Sequence, residues 1–246
     1  MSPAKNLIAD SRTTPAGTWR SWGLLERLPR ISRDQLLPAG HRLVVVAPHP
    51  DDEVLACGGL LASLASADGN VLISVTDGEG SHPDSPISPE CLRAVRQEES
   101  RAALMRLGLD LQRWHWCRLH LPDGGVDASV LADQLREMIL PGDRLISTWR
   151  GDGHCDHEAT GHACAQVAAQ RGAQHYETPI WAWHWSAPDD PRVPWARACR
   201  FDLDQEAVRR KRDAILAHTS QCEGPQPVLS ACLLDTLLQP YEIYFR

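Results

Sequence analysis

Residues 43–47 form an unbroken apolar run, Leu-Val-Val-Val-Ala, directly before the polar segment PHPDDE at residues 48–53. A short run of β-branched residues that ends in a turn is typical of a strand buried on both faces of a parallel sheet. Parallel strands need long crossover connections, which are usually helices. This run therefore predicts an α/β fold in which helices cover both faces of a sheet.

The rest of the chain alternates in a way that fits such a fold. Further strands are expected at residues 71–76, 112–117, 143–148 and 174–178. Helices are expected at residues 58–65, 89–107, 126–139, 156–170 and 205–218. In a chain of 246 residues, this alternation predicts a single doubly wound, mostly parallel, Rossmann-like sheet. We assign residues 41–246 to this domain.

Residues 1–40 lack a clear hydrophobic period and contain four prolines. We expect them to form an N-terminal extension that lies across the domain. The side chains that would anchor this extension by burial are Trp19, Trp22, Leu24 and Leu25.

The charge and hydropathy of the chain exclude several classes of partner. The net charge of −7 and the lack of a long basic run give no reason to expect a nucleic-acid surface. No stretch approaches the roughly 18 apolar residues that a membrane span needs. The N-terminus has no apolar core of signal-peptide length. We therefore expect a cytoplasmic protein whose partner is a small molecule.

The first chemical motif is the segment at residues 48–53, with His49 and the adjacent carboxylates Asp51 and Asp52. Imidazole nitrogen and carboxylate oxygen are suitable ligands for zinc or a similar divalent ion. Two adjacent carboxylates point different ways, so one can bind the metal while the other faces the substrate. In isolation, the segment also fits an Asp N-cap at the start of a helix.

The second motif is the segment His154-Cys155-Asp156-His157, which follows a later predicted strand. One of its histidines can complete a His-Asp-His triad with His49 and Asp52, and the other can face the substrate. Asp156 can hold that second imidazole in one tautomer. Three protein ligands leave a position open for water, as in a catalytic zinc site. Since ligands bind beyond the carboxyl ends of strands in such sheets, both loops can open at one edge.

With these two motifs, the sequence resembles the PIG-L/LmbE-like family of zinc-dependent N-acetylglucosaminyl deacetylases. The pattern of that family is (A/P)-H-P-D-D(-E) after the first strand and H-P-D-H after a later one. The chain departs from it at Cys155, which stands in place of the proline of the second motif. Three further segments are similar to the family: Thr76 to Glu79, Arg96 to Glu99 and Lys211 to Gln221.

The resemblance implies a role for each matching residue. The zinc ligands would be His49, Asp52 and His157, and the native metal could equally be Fe²⁺, because this donor set suits both ions. Asp51 would be the general base. The remaining candidates are His154, which would stabilise the oxyanion or act as the acid, Asp156 beside it, and two sugar-binding residues, Arg96 and Asp123.

The function that these expectations support is hydrolysis of an N-acyl group, N-acetyl above all, from an amino sugar or its conjugate. Three alternatives remain open. The first is an amidase that acts on a thiol-sugar conjugate. The second is a metal phosphoesterase, which would need a second ligand set about 4 Å from the first metal. The third is a sugar-binding module without catalysis, against which Asp51 and His154 argue because binding needs neither.

The tryptophans at positions 181, 183 and 185 have two interpretations. Their aromatic faces could line the substrate cleft, where they would stack on sugar rings or acyl chains. Their period of two also fits a strand with one buried face, or a cluster in the core.

Overall fold

The computed structural model describes residues 7–9, 11–65, 67–83, 86–225 and 227–246. The strands, numbered along the chain, are β1 (Leu43–Ala47), β2 (Val71–Thr76), β3 (His115–Leu121), β4 (Arg144–Thr148), β5 (Gln174–Thr178), β6 (Ala198–Asp202) and β7 (Tyr241–Phe245). They form one seven-stranded sheet in the order β3-β2-β1-β4-β5-β7-β6.

Helices connect and cover these strands. They are α1 (Ala16–Ser21), α2 (Leu24–Arg27), α3 (Arg33–Leu36), α4 (Asp52–Ser63), α5 (Pro89–Leu107), α6 (Ala128–Met138), α7 (Cys155–Arg171), α8 (Ala182–Trp185), α9 (Gln205–Ile215), α10 (Thr219–Cys222) and α11 (Ala231–Leu237). A 3₁₀ turn spans Trp195–Arg197. Within the described ranges, no helix combines the length and the apolar composition that crossing a membrane requires.

The sheet is mostly parallel and covered on both faces, which confirms the predicted fold class. Strand β1 pairs in parallel with β2 on one side and with β4 on the other. Its side chains alternate between two apolar clusters, with Leu43 and Val45 in one and Val44 and Val46 in the other. Helices α4, α5 and α9 contribute to the first cluster, and α6 and α7 to the second. The unbroken apolar run therefore reflects burial on both faces.

The far edge of the sheet and the bounds of several elements differ from those predicted from the sequence. Strand β7 runs antiparallel to both β5 and β6, and neither it nor β6 was predicted. Helix α4 begins at residue 52, not 58, because the carboxylates at its start are themselves helical. Strand β3 covers residues 115–121 and not the predicted 112–117.

The described part of the N-terminal segment packs into the core. Trp19 is fully buried, and its ring lies edge-on to that of Trp183, with 4.9 Å between the centroids. Leu25 is also buried, while Trp22 and Leu24 are partly buried against the same cluster. Anchoring by these side chains is as expected. The division of the chain at residue 40 stays a prediction.

Candidate active site

The two motif loops follow adjacent parallel strands. Residues 48–51 connect β1 to α4, and residues 149–154 connect β4 to α7. Helices leave β1 and β4 toward opposite faces of the sheet, so the strand order reverses between them, and such a switch point is where doubly wound sheets bind ligands. A cavity of about 350 Å³ lies here. Its polar lining includes His49, Asp51, Asp52, Arg96, Asp123 and His154.

A carboxylate oxygen lies between two imidazoles at the floor of this cavity. Oδ2 of Asp52 is 3.0 Å from Nδ1 of His49 and 3.2 Å from Nε2 of His157. All three side chains are almost completely buried. Although it lies near Asp52, the Nε2 atom of His157 makes no hydrogen bond of suitable geometry with any described residue, which is costly for a buried polar atom. An unpartnered imidazole nitrogen beside a carboxylate and a second imidazole fits the ligand set of a zinc or iron ion.

The charges of this cluster agree with a cation site. Burial alone would raise the pKa of Asp52, but the imidazoles of His157 and His49 hold it well below its usual range. Burial alone would lower the pKa of His157, but Asp52 and Asp152 raise it to about 9. The carboxylates around His49 likewise raise its pKa despite burial. The pocket thus favours positive charge between its carboxylates, which a divalent cation can supply in place of protons.

Asp152, which was not predicted as a site residue, binds the ring nitrogen of His157 that faces away from Asp52. Oδ2 of Asp152 lies 2.8 Å from Nδ1 of His157, and both residues are fully buried. The same carboxylate accepts hydrogen bonds from the backbone N–H groups of Ile180, Trp181 and Ala182. A carboxylate bonded to the second nitrogen of a histidine is a common partner of a metal ligand. The position of Asp152 in the loop just before the second motif could have identified it as a candidate site residue.

Asp51 faces the same cavity from a strained position. Its φ of 133° lies in the region that favours glycine, and it stands at the N-cap of α4. Burial raises the pKa of its carboxyl to about 7, although the guanidinium of Arg96 opposes this shift. Nη2 of Arg96 donates to Oδ2 of Asp51 at 3.1 Å. The same nitrogen donates to the carbonyl oxygen of Pro50, and Nη1 donates to that of Gly78.

Arg96 is therefore held by the protein. Only 2% of its surface is exposed, and its hydrogen bonds go to Asp51 and to backbone carbonyls. The sugar-binding role implied by the resemblance stays a prediction. The observed contacts give Arg96 a role in positioning Asp51.

His154 and Asp156 lie at the start of α7, but they do not pair through their side chains. Nδ1 of His154 accepts a hydrogen bond from the backbone N–H of Asp156. The carboxylate of Asp156 instead lies 3.1 Å from Nε2 of His49 and accepts from the N–H groups of Gly124 and Val126. Burial, together with the neighbouring imidazoles of His157 and His49, lowers the pKa of His154 to about 4.

A third carboxylate converges on the outer side of His49. Oδ1 of Asp123 is 3.2 Å from Nε2 of His49, and Oδ2 accepts from the N–H of Gly80. The ligand atoms of His49, Asp123 and Asp156 all lie within 4.8 Å of one another, as do those of His49, His154 and His157. The structure thus brings His49, Asp123, His154, Asp156 and His157 close together at one cavity.

The three tryptophans divide between the two interpretations. Trp181 lines the cavity, whereas Trp183 and Trp185 are buried in the core. The segment forms the short helix α8, so the strand that their spacing suggested is wrong. The sequence analysis also missed Ile8 and Leu229, which line the cavity although they lie far from the motifs in sequence.

Solved structures with the same fold include two deacetylases and a hydratase. The N,N'-diacetylchitobiose deacetylase from Pyrococcus horikoshii is 19% identical, with a TM-score of 0.55 over 74% of this chain and 71% of that one. The A40926 pseudoaglycone deacetylase Dbv21 is 22% identical, with a TM-score of 0.56 over 83% and 96%. The 4-carboxy-2-hydroxymuconate hydratase from Pseudomonas putida is 18% identical, with a TM-score of 0.54 over 74% and 80%. At these identities the likeness shows a common fold.

The comparison with protein families goes further. No curated protein matches the sequence. The model of the GlcNAc-PI de-N-acetylase family, PIG-L, matches residues 44–168. This range is just over half of the chain and contains both motif loops, Arg96 and Asp123. The chain therefore belongs to the PIG-L family.

Proposed function

We propose that this protein is a metal-dependent hydrolase that removes an N-acyl group from an amino sugar or its conjugate. The observation that carries the proposal is the position of Asp52, whose carboxylate lies between His49 and His157 beneath a cavity that Asp51 also faces. Membership of the PIG-L family supports deacetylation of amino-sugar conjugates as the reaction class. A hydratase has the same fold, so the fold alone does not identify the reaction that a protein catalyses.

The proposed metal ligands are His49, Asp52 and His157, and the metal is zinc or Fe²⁺. When bound, such an ion lowers the pKa of a coordinated water and polarises the carbonyl group of a substrate. Asp152 keeps the imidazole of His157 in the tautomer that leaves Nε2 free for the metal, because Nδ1 carries the proton that Asp152 accepts.

Asp51 is the proposed general base. It takes a proton from the attacking water as the oxygen of that water bonds to the amide carbon. A base is most effective when its pKa lies near the working pH, and burial brings the pKa of Asp51 to about 7. Arg96 fixes the orientation of the carboxylate through its hydrogen bond.

His154 lies on the opposite loop and completes the site. Its Nδ1 accepts a hydrogen bond from the backbone N–H of Asp156, so the neutral ring carries its proton on Nε2, which donates to the oxygen that becomes negative as the amide carbon turns tetrahedral. The bond between carbon and nitrogen then breaks, and the amine leaves with the proton that Asp51 took from the water. The products are a carboxylic acid and a free amino sugar.

Two substitutions separate the metal from the base. Asp51→Asn should keep the bound metal and lower turnover by about 10²- to 10⁴-fold, the usual contribution of a general base. His157→Ala should lose both the metal and the activity. The readouts are release of amine from N-acetylglucosamine conjugates and metal content by elemental analysis. Near wild-type turnover in Asp51→Asn, or full metal occupancy in His157→Ala, would reject these assignments.

Amine release and metal content also distinguish the proposed deacetylase from the alternative amidase and phosphoesterase. Comparison of N-acetylglucosamine conjugates with amides of thiol-sugar conjugates separates the deacetylase from the related amidase. The carboxylates of Asp123 and Asp156 beside His49 are the candidates for the second metal of a phosphoesterase. One metal per chain supports N-acyl hydrolysis, whereas two metals and phosphate release from phosphoesters would support the phosphoesterase.

A further inference from the structure

The cavity of about 350 Å³ has two chemically different halves. Its polar half comes mainly from residues within the family match, such as Arg96, Asp123 and His154. Its apolar half consists of Leu55 and four residues that we call the apolar wall: Ile8, Trp181, Val228 and Leu229. All four residues of the apolar wall lie outside the range 44–168 that matches the family. Apart from Leu55, this half of the cavity is therefore built by segments outside the matched region.

The N-terminal part of the apolar wall is held by His184. Nε2 of His184 lies 3.0 Å from the carbonyl oxygen of Ile8, and Nδ1 lies 2.7 Å from Oγ1 of Thr13. A carbonyl oxygen can only accept, so Nε2 carries the proton and Nδ1 of the neutral ring accepts from the hydroxyl group. The backbone N–H of Thr14 also donates to the carbonyl oxygen of His184. These bonds fix Ile8 over the cavity.

Two further residues of the apolar wall, Trp181 and Leu229, are held by backbone hydrogen bonds. The backbone N–H of Trp181 donates to Oδ2 of Asp152, the carboxylate that also holds His157. The backbone N–H of Leu229 donates to the carbonyl oxygen of Gln221. The apolar wall is thus preorganised, so its side chains lose little conformational entropy when an apolar group binds.

The apolar half begins directly beside the proposed metal ligands. Leu55 lies one helical turn beyond Asp51 and Asp52, and Trp181 shares Asp152 with His157. A substrate amide at the metal has two substituents, an amino sugar and an acyl group. The hydroxyl groups of a sugar need polar partners when they are buried, and the polar half supplies them. The acyl group is then the substituent that faces the apolar half.

We propose that the apolar wall binds an acyl chain longer than acetyl, of about four to six carbons. This inference rests on the proposed function and specifies its substrate class. A cavity of this size lies near the lower end of the range of roughly 300–1,000 Å³ that is usual for small-molecule sites, which sets the upper limit on chain length. Each methylene that becomes buried should raise kcat/KM by about fourfold.

The experiment compares glucosamine carrying N-acetyl, N-butyryl and N-hexanoyl groups, with release of amine by the metal-loaded protein as the readout. We expect kcat/KM to rise by roughly 15-fold from acetyl to butyryl, since two methylenes are added. A second readout is independent of catalysis. Calorimetry on the metal-free protein should show tighter binding and a more negative heat-capacity change for N-hexanoyl- than for N-acetylglucosamine.

Two variants test whether the apolar wall is responsible. Ile8→Ser and Val228→Ser lie on different segments, so a local disturbance of one segment cannot explain a common effect. Each should lower the ratio of hexanoyl to acetyl kcat/KM by about tenfold. The matched control is Val130→Ser on α6, where the valine is 46% exposed and does not line the cavity, and it should leave the ratio unchanged.

The outcomes separate this inference from the function on which it rests. If acetyl is the best substrate and kcat/KM falls with chain length, the inference is wrong and the deacetylase proposal stands. A preference for long chains that both serine variants retain would also overturn it. If no member of the series releases amine, the proposed function itself fails.

Discussion

The carboxylate of Asp152 accepts a hydrogen bond from Nδ1 of His157 at 2.8 Å, and neither side chain is exposed to solvent. Three backbone N–H groups converge on the same carboxylate, so its position is fixed by the loop that leads into α8. This contact leaves Nε2 of His157 facing Asp52. The loop and the proposed metal ligand are thus coupled through one side chain.

We predict that Asp152→Asn lowers metal affinity by about 10- to 100-fold, the usual effect of removing such a partner. Asparagine keeps one acceptor oxygen but removes the negative charge that orients the imidazole. Competition with a chelator of known affinity measures the change. The matched control is Asp133→Asn, because Asp133 is exposed on α6 and forms its ion pair with Arg136 on the same helix. Equal metal affinity in both variants would contradict the role of Asp152.

The sequence predicts those parts of the fold that depend on local patterns. The run at residues 43–47 indicates burial on both faces, and the two faces of β1 do pack into separate clusters. The pair β6 and β7 escaped prediction because β7 runs antiparallel to its neighbours, outside the alternation of parallel strands and helices on which the prediction relied. The segment Tyr241–Phe245 does carry aromatic and β-branched residues that favour a strand, but its pairing with β5 and β6 depends on contacts with distant parts of the chain.

The candidate site likewise has features that local sequence patterns predict and features that depend on packing between distant parts of the chain. The motifs place His49, Asp52 and His157 on two loops, and the parallel pairing of β1 with β4 brings those loops together. Whether Asp156 turns toward His154 or toward His49 depends on side-chain packing, and the structure turns it toward His49. Apart from Leu55, the apolar side of the cavity comes from residues 40 positions before the first motif or more than 20 positions after the second, beyond the reach of any local pattern.

A buried ion pair supports the helix that carries Asp51 and Asp52. Nζ of Lys211 lies 2.8 Å from Oε1 of Glu242. The same carboxylate accepts from the N–H groups of Gly59 and Leu60, next to the bend of α4 at Cys57. We predict that Lys211→Met lowers the free energy of unfolding by about 3–5 kcal/mol, because it leaves a buried charge unpaired. Urea denaturation measures this loss.

A double variant tests the origin of that loss. Adding Glu242→Gln to Lys211→Met should recover part of the stability, since the charge that lacked a partner is removed. Arg212→Met provides the control, because Arg212 is exposed one position further along α9 and its loss should change stability by less than about 0.5 kcal/mol. Strictly additive effects of the two buried substitutions would argue against the pairing.

Helix α7 approaches the backbone closely at Gly161. A Cβ atom at this position would lie 2.7 Å from the nitrogen of Arg150 and 2.8 Å from the carbonyl oxygen of Thr148. Helix propensity alone favours alanine over glycine by about 1 kcal/mol. Because the contacting atoms belong to the backbone, we expect the steric repulsion to outweigh the gain in helix propensity. We predict that Gly161→Ala lowers the free energy of unfolding by about 1–3 kcal/mol. Gly17→Ala in α1 meets nothing within 4 Å, so it should stabilise or be neutral.

Both glycine variants are compared by thermal and urea unfolding of the same preparations. The loop after β4 carries Asp152, which holds the proposed ligand His157, so Gly161→Ala should also lower metal affinity if the loop moves. A variant that is more stable than the parent would show that α7 can shift away from the strand at no cost.

His175, which does not line the cavity, should make the free energy of unfolding depend on pH. Burial lowers the pKa of His175 to about 4, from a usual value of 6.5, and Nε2 of this histidine lies 2.8 Å from Oγ of Ser147. The unfolded chain therefore binds a proton below about pH 6.5, whereas the folded protein binds it only near pH 4. Because the unfolded state takes up the proton first, the free energy of unfolding should fall as the pH decreases through this window.

His175→Gln should reduce that dependence by up to one bound proton, because glutamine can still bond to Ser147 but does not titrate. The measurement is urea unfolding between pH 7.5 and pH 4.5, with chelator present throughout so that loss of metal makes no contribution. His41→Gln serves as the control, because His41 is exposed and should give the slope of the parent protein. An unchanged slope in His175→Gln would mean that other groups cause the loss of stability in acid, and a steeper slope would show that His175 is protonated in the folded protein.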